Sequence, residues 1–393
     1  MPVVAKPPPP VVEAPAPVPE SSVGALERPS ALRHFFEGLA RIEAGEALED
    51  VRITQFGDSH TEADYETATV RRALQERFRN GGRGFVAIGK PWPKWSQEGV
   101  LAGMSAGWSP AMGGLGTVGL GGAAIVTRQG GAAAWAHILT PTSRAELDYL
   151  EQPTGGGFDV LVDGVRVVRI ATRSERTQPA FRAFDVPETP TPHQIEVRTV
   201  GDGEVRLFGM ALDRVAEHGV VVDAFGINGA RITTLLSWNE QHWGEQLKHR
   251  SPTLVVLAYG TNDADTTVPM ETFERELGEA LGRLSRAVPE ASCLVLGPPD
   301  RASKSGAVWK TTPRILEVIA SERRAAEAAR CAFYDRQGAM GGEGTIAHWA
   351  ATGAWAQADR VHLTRAGYTQ VGTTFVTDLM TAYDAWKRAS KPL

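Results

Sequence analysis

Apolar and polar residues alternate with two different periods along this chain, and the periods change twice. Leu32, Phe35, Phe36, Leu39 and Ile42 recur at helical spacing, which predicts a helix beginning near Ala31. Ile53 to Phe56 then reads as a short buried strand running into Gly57-Asp58-Ser59-His60. A helix is predicted from Glu62 to Phe78, stopped by Asn80-Gly81-Gly82. Beyond it lies a loop carrying Trp92 and Trp95.

From about Ser105 the helical period disappears. Short alternating runs replace it at 123–127, 145–150, 159–162, 165–170, 193–198 and 204–208, separated by turn signals such as Asp163-Gly164 and Gly201-Asp202-Gly203. This is the pattern of an antiparallel sandwich, expected to be jelly-roll-like. From Val220 apolar strands and amphipathic helices alternate again. Strands are expected at Val220–Phe225, Thr253–Ala258, Ser292–Leu296 and Ala332–Tyr334, and helices over 273–287, 314–329 and 366–386. Near-continuous apolar strands separated by helices predict a parallel sheet covered on both faces. The expected organisation is a three-layer α/β domain built from 31–104 and 214–393, with an all-β domain, 105–213, inserted into it. Residues 1–30, rich in Pro, Ala and Val with Pro7 to Pro10 consecutive, are expected to form a disordered linker.

Composition changes this picture little. The 393 residues allow two domains, and 42% hydrophobic with 22% charged residues is ordinary for a globular protein. A net charge of −5 and the lack of a basic-aromatic stripe exclude a nucleic-acid partner. No apolar run approaches the roughly 20 residues of a membrane-spanning helix. A charged stretch followed by an apolar one, the mark of a signal peptide, is not visible either. The Pro-rich linker nevertheless reads as a stalk, so a periplasmic or secreted envelope protein is expected. Cys293 and Cys331 each open a predicted buried strand and are expected to be inert core thiols.

The chemistry lies at strand ends. In a doubly wound sheet, residues following the strands gather along the carboxyl edge, where ligands bind. Ser59, Gly229, Asn262 and the pair Asp359/His362 all fall there or in the last loop. Ser59 would attack a carbonyl, His362 would carry its proton, and Asp359, three residues away, would orient the imidazole. Asn262 and the backbone N–H groups of Ser59 and Gly229 would hold the oxyanion. Each residue has a plainer reading: Ser59 as a helix cap, Asn262 as a turn former, His362 as a core histidine. Their order and number favour the catalytic one. Asp263 and Asp265 read as turn formers or solvated carboxylates. Trp92, Trp95, Trp349 and Trp355 could equally be core or line the substrate cleft.

These blocks resemble the SGNH, or GDSL-type, hydrolases. Gly57-Asp58-Ser59 looks like their first block, Gly229 the second, Gly260-Thr261-Asn262-Asp263 the third and Asp359-Arg360-Val361-His362 the fifth. The resemblance implies a flavodoxin-like hydrolase domain. Gly57-Asp58-Ser59-His60-Thr61 is similar to the first block of the peptidoglycan O-acetylesterase branch, which also carries a carbohydrate-binding-like β-sandwich between first and second blocks and a Trp-bearing loop before the final Asp and His. That implies a cofactor-independent esterase removing acetyl groups from muramoyl C6 hydroxyls. His60 stands where the wider family has Leu and is given no catalytic role.

Rival readings are a deacetylase of xylan or another polysaccharide, a lipase, a metal-dependent phosphoesterase using Asp58, His60, Asn262, Asp263 and His362, and a non-catalytic glycan-binding envelope protein. Two further motifs are treated as decoys. Gly103-Met104-Ser105-Ala106-Gly107 fits a nucleophile elbow but has no predicted strand before it or helix after it. Gly114 to Gly119 fits a dinucleotide fingerprint but opens no helix.

Overall fold

The apolar runs of the α/β regions become one parallel sheet. In the computed structural model, which describes residues 22–93, 95–113, 117–187, 192–216 and 218–390, the strands lie side by side in the order Val220–Gly226, Val51–Gly57, Leu254–Ala258, Ser292–Leu296, Ala332–Tyr334. Numbered along the chain this is the flavodoxin-like order 2-1-3-4-5, with its switch point between the first and third strands. Side chains alternate between the two faces. Phe56, Val255, Leu257, Val295 and Phe333 pack under the helices at 232–236, 240–250, 270–287 and 313–328. Val51, Ile53, Leu254, Val256, Leu294 and Tyr334 pack under those at 33–44, 65–78 and 365–389. Both faces are therefore dry, as their near-continuous hydrophobicity requires.

Part of the stretch expected to be linker belongs to the sheet. Residues 1–21 lie outside the described residues. Leu26–Glu27, however, is a strand paired antiparallel to Phe333 and Tyr334, with Leu26 fully buried. One apolar side chain in register with a sheet edge outweighs the proline-rich context around it. The predicted helix from Glu62 is also divided. A single turn, Ser59–Glu62, precedes the helix Tyr65–Phe78, and Asp64 between them takes a left-handed φ of 52°.

The inserted domain is two antiparallel sheets. One holds Val165–Ala171, Gly157–Val162, His193–Thr199, Ala133–Ile138 and Val100–Met104; the other holds Gln178–Asp185, Arg144–Glu151, Val205–Asp213, Ala123–Thr127 and Ser109–Met112. Their inner faces meet around Ile125, Ile138, Leu147, Phe158, Val197 and Leu212. The sandwich draws in chain from before Ser105, since Gly82–Val86 pairs with Val205–Asp213 and Val100–Met104 with Ala133–Ile138. Alternation is weak in these Gly-rich strands, which is why sequence pattern passes them over. A strand thus does precede Ser105, contrary to the sequence reading. No helix follows, and Ser105 Oγ accepts from Ala133 N inside the sandwich. Of the second decoy, residues 114–116 lie outside the described residues, and Gly119 N donates to Ala123 O in a sandwich turn.

Buried charge joins the two domains. Asp223, wholly buried on the first edge strand, accepts from Phe85 N (2.7 Å), Thr54 Oγ1 (3.2 Å) and Arg250 Nε and Nη2 (2.8 and 2.9 Å). Arg83 Nη2 donates to Asp64 Oδ2 at 2.6 Å, and its Nε to Glu98 O. The two cysteines are not free thiols. Cys293, on the strand Ser292–Leu296, and Cys331, just before the parallel neighbour Ala332–Tyr334, have their Cα atoms 4.8 Å apart and form a disulfide. Sequence spacing alone cannot show that two strand starts are adjacent, and so could not pair them.

Candidate active site

Ser59 owes its position to the strand before it and the helical turn it begins. Gly57 ends the strand; a Cβ there would lie 2.3 Å from Thr61 Oγ1 and 2.7 Å from Ala258 O, so the chain can turn this tightly only with glycine. Asp58 caps the turn, its Oδ1 accepting from His60 N at 2.9 Å. The carboxyl is completely buried, and burial pushes its pKa up to about 6 against the hydrogen bond from His60 and the charge of Arg336.

The last loop brings His362 and Asp359 to the serine. His362 Nε2 lies 2.9 Å from Ser59 Oγ, and His362 Nδ1 lies 2.8 Å from Asp359 Oδ2. Asp359 Oδ1 accepts from both Val361 N and His362 N at 3.0 Å, closing a tight turn around the carboxylate. Burial raises the Asp359 pKa, but the imidazole and the two N–H groups outweigh it and hold the carboxyl below its usual range. The turn is fixed from outside. Arg360, at a left-handed φ of 59°, lays its guanidinium 3.9 Å from the Trp309 ring centre, while Ala302 N donates to Arg360 O and Gln357 N to His362 O.

Asn262 and Gly229 flank the serine from the strands on either side of it. Asn262 Nδ2 donates one hydrogen to Ala230 O at 3.0 Å, which leaves its second N–H available. Gly229 has φ +77°, with open space where a Cβ would be. Among the described residues neither Ser59 N nor Gly229 N donates to a backbone or side-chain acceptor. Unpaired N–H groups beside the Ser59 hydroxyl are what a developing oxyanion requires.

The metal-ligand reading finds its residues engaged elsewhere. Asp58 caps its helix, Asn262 serves Ala230, His362 bridges Ser59 and Asp359, and Asp263 accepts from Gly260 N and Ile232 N as a turn former. His60 is buried, its Nδ1 2.9 Å from Tyr368 Oη and its ring centre 5.4 Å from that of His362. Among the described residues no group of three or more His, Cys, Asp or Glu could hold a metal ion.

The four tryptophans divide. Trp349 is buried on the helix Thr345–Thr352, where a loop was expected, and belongs to a small core with Ile346 and Tyr368. Trp355 is 39% exposed and meets Trp349 edge to face at 5.0 Å. Trp95 is buried and Trp92 half-buried; both line a narrow pocket between the sandwich and the hydrolase sheet. Trp92 Nε1 donates to Glu62 Oε1 at 3.0 Å. Glu62, one turn after Ser59 on the same helix, was not singled out by sequence pattern, because a Glu there looks like any helix residue.

Residues 197–370, which hold Gly229, Asn262, Asp359 and His362, match the GDSL-like Lipase/Acylhydrolase family. Ser59 lies outside the matched stretch, ahead of the inserted β-sandwich. No curated protein matches the chain in sequence. Among solved structures, a peptidoglycan O-acetylesterase superimposes with a TM-score of 0.76 at 22% identity, over 89% of this chain and 96% of that one. An acetylxylan esterase from Geobacillus stearothermophilus gives a TM-score of 0.33 at 19% identity, over 41% of this chain and 73% of that one. The first likeness shows that the α/β domain and the inserted sandwich together form a known fold.

Proposed function

We propose that this protein is a serine carbohydrate esterase that removes O-acetyl groups from a cell-envelope glycan, peptidoglycan in the first place. The observation that carries the proposal is the relay Ser59 Oγ–His362 Nε2–Asp359, with contacts of 2.9 and 2.8 Å, beside unpaired N–H groups. Ser59 attacks the acetyl carbonyl while His362 takes its proton, and Asp359 steadies the imidazolium. The oxyanion settles between Ser59 N, Gly229 N and Asn262 Nδ2. His362 then returns the proton to the departing sugar oxygen, leaving an acetyl-serine. Water, deprotonated by the same histidine, releases acetate.

The glycan substrate is supported by the likeness to a peptidoglycan O-acetylesterase. Action in the periplasm or outside the cell is supported by the disulfide between Cys293 and Cys331, a bond that persists in oxidising compartments.

The test is acetate release from O-acetylated peptidoglycan by the natural chain and by Ser59→Ala, each with and without EDTA. Release that survives EDTA and disappears in Ser59→Ala is expected. Ser59-dependent cleavage of p-nitrophenyl acetate without release from peptidoglycan would keep the mechanism and move the substrate to xylan or another acetylated glycan. Glycan binding with no hydrolysis of either ester would leave a non-catalytic envelope protein.

A further inference from the structure

Glu62 has a position the triad does not use. It follows Ser59 by three residues on one helical turn, which brings both side chains to the same side of that turn. Its Oε1 is held by Trp92 Nε1 at 3.0 Å, while Oε2 accepts no hydrogen bond from any described residue. The side chain is half-buried and close enough to His362 for the charge of the imidazole to bear on its ionisation. Trp92, which anchors it, forms one wall of the pocket shared with Trp95, Phe208, Phe225 and Gly226. Gly226 pairs with Gly57 across the sheet, so one edge of the pocket lies a single strand away from the turn that carries Ser59.

A carboxylate with one oxygen fixed and the other free is an acceptor waiting for a donor. The departing group of the reaction is an alcohol. A simple or aromatic alcohol brings no second donor, whereas a sugar ring brings several hydroxyls and apolar C–H faces that suit an aromatic wall. Resting on the esterase reading above, we propose that Glu62, positioned by Trp92, accepts a hydrogen bond from a hydroxyl of the sugar that carries the acetyl ester, and so selects polyol esters over esters of simple alcohols. Glu62 takes no proton in the reaction. It orients the leaving group, and its effect is expected in the comparison of substrates rather than in the chemistry common to them.

The decisive variant is Glu62→Gln. Its amide oxygen keeps the bond from Trp92, and its NH2 puts a donor where the free acceptor was, so the fold and the anchor are retained. The measurement is kcat/KM on 6-O-acetyl-N-acetylglucosamine and on p-nitrophenyl acetate, for the natural chain, Glu62→Gln and Trp92→Phe. The ratio of sugar ester to aryl ester is expected to fall by about tenfold or more in Glu62→Gln and by less in Trp92→Phe, which loosens the anchor but leaves the acceptor. An unchanged ratio in Glu62→Gln, or an equal loss on both esters, would overturn the assignment of Glu62 and leave the esterase reading intact. A natural chain that cleaves the aryl ester with no preference for the sugar ester would overturn the glycan reading together with this one. A natural chain that cleaves neither would overturn the esterase itself.

Discussion

Ser59 and His362 are 303 residues apart in the chain and 2.9 Å apart in the fold, and Asp359 reaches the far side of the same imidazole at 2.8 Å. The carboxylate does two things at once. Oδ2 fixes the ring tautomer, and Oδ1 shapes the turn by accepting Val361 N and His362 N. Asp359→Asn keeps an acceptor for the turn but offers the ring an amide. It is expected to lower kcat on p-nitrophenyl acetate on the order of 10²–10⁴-fold, at the lower end because Asp359 is 46% exposed. The carboxyl ionises below its usual range, so this loss should persist in acid well below pH 6. An Asp359→Asn rate within threefold of the natural one would sink the relay.

Asn262 and Gly229, proposed above to hold the oxyanion, should respond differently to substitution. Asn262→Ala removes a side-chain donor outright and is expected to cost kcat about 10²–10³-fold, with KM little changed. Gly229→Ala keeps the N–H and meets no neighbouring atom, but forces a side chain to φ +77°. The strain of about 1–2 kcal/mol should lower the melting temperature and shift the donor, with a smaller loss of rate than Asn262→Ala. Thermal melts read beside steady-state rates separate the two. A larger rate loss in Gly229→Ala would mean that the loop moves as a whole.

The sheet was legible because the strands that build it are largely apolar, and the blocks that follow those strands had to fall on one edge. That Ser59, His362 and Asp359 would meet there was legible for the same reason. What escaped was whatever depends on which strands are neighbours. Cys293 and Cys331 look like two separate core residues until their strands lie side by side. Val100–Met104 and Gly82–Val86 are sandwich strands whose glycines blur the alternation. Leu26 pairs with a sheet edge from within a stretch that composition assigns to a linker. Trp349 sits on a helix whose Gly-rich surroundings read as loop. Glu62 acquires its interest only from Trp92, thirty residues on and across the cleft.

Asp58 ties the active-site turn to pH. Its carboxyl is buried and its pKa stands at about 6, above the ordinary 3.8. A raised carboxyl binds its proton more tightly in the folded than in the unfolded chain. Its contribution to stability is therefore favourable only where it is protonated, and declines as pH rises from about 4 through 6. Asp58→Asn keeps an acceptor for His60 N without the charge. The variant is expected to match the natural chain near pH 4 and to gain on it by an amount on the order of 2–3 kcal/mol at pH 7, measured by denaturant unfolding at both pH values. A difference that does not change between pH 4 and 7 would show that burial is not what governs this carboxyl.

Trp349 and Trp355 touch edge to face yet face different surroundings, and their substitutions should therefore part. Trp349 is 8% exposed and packs with Ile346, Leu363 and Tyr368 beneath the catalytic loop. Trp349→Ala opens a cavity there and is expected to cost about 3–5 kcal/mol of stability. Tyr368 also bonds His60, so the loosened core should reach the histidines and lower kcat on every ester alike. Trp355 is 39% exposed, and its loss removes little buried surface. Trp355→Ala is expected to leave the melting temperature within a few degrees of the natural value. If its ring meets the glycan, KM on O-acetylated peptidoglycan should rise several-fold while KM on p-nitrophenyl acetate stays as it is. Equal KM values on the polymer for Trp355→Ala and the natural chain would place the sugar on the other wall of the cleft, against Trp92.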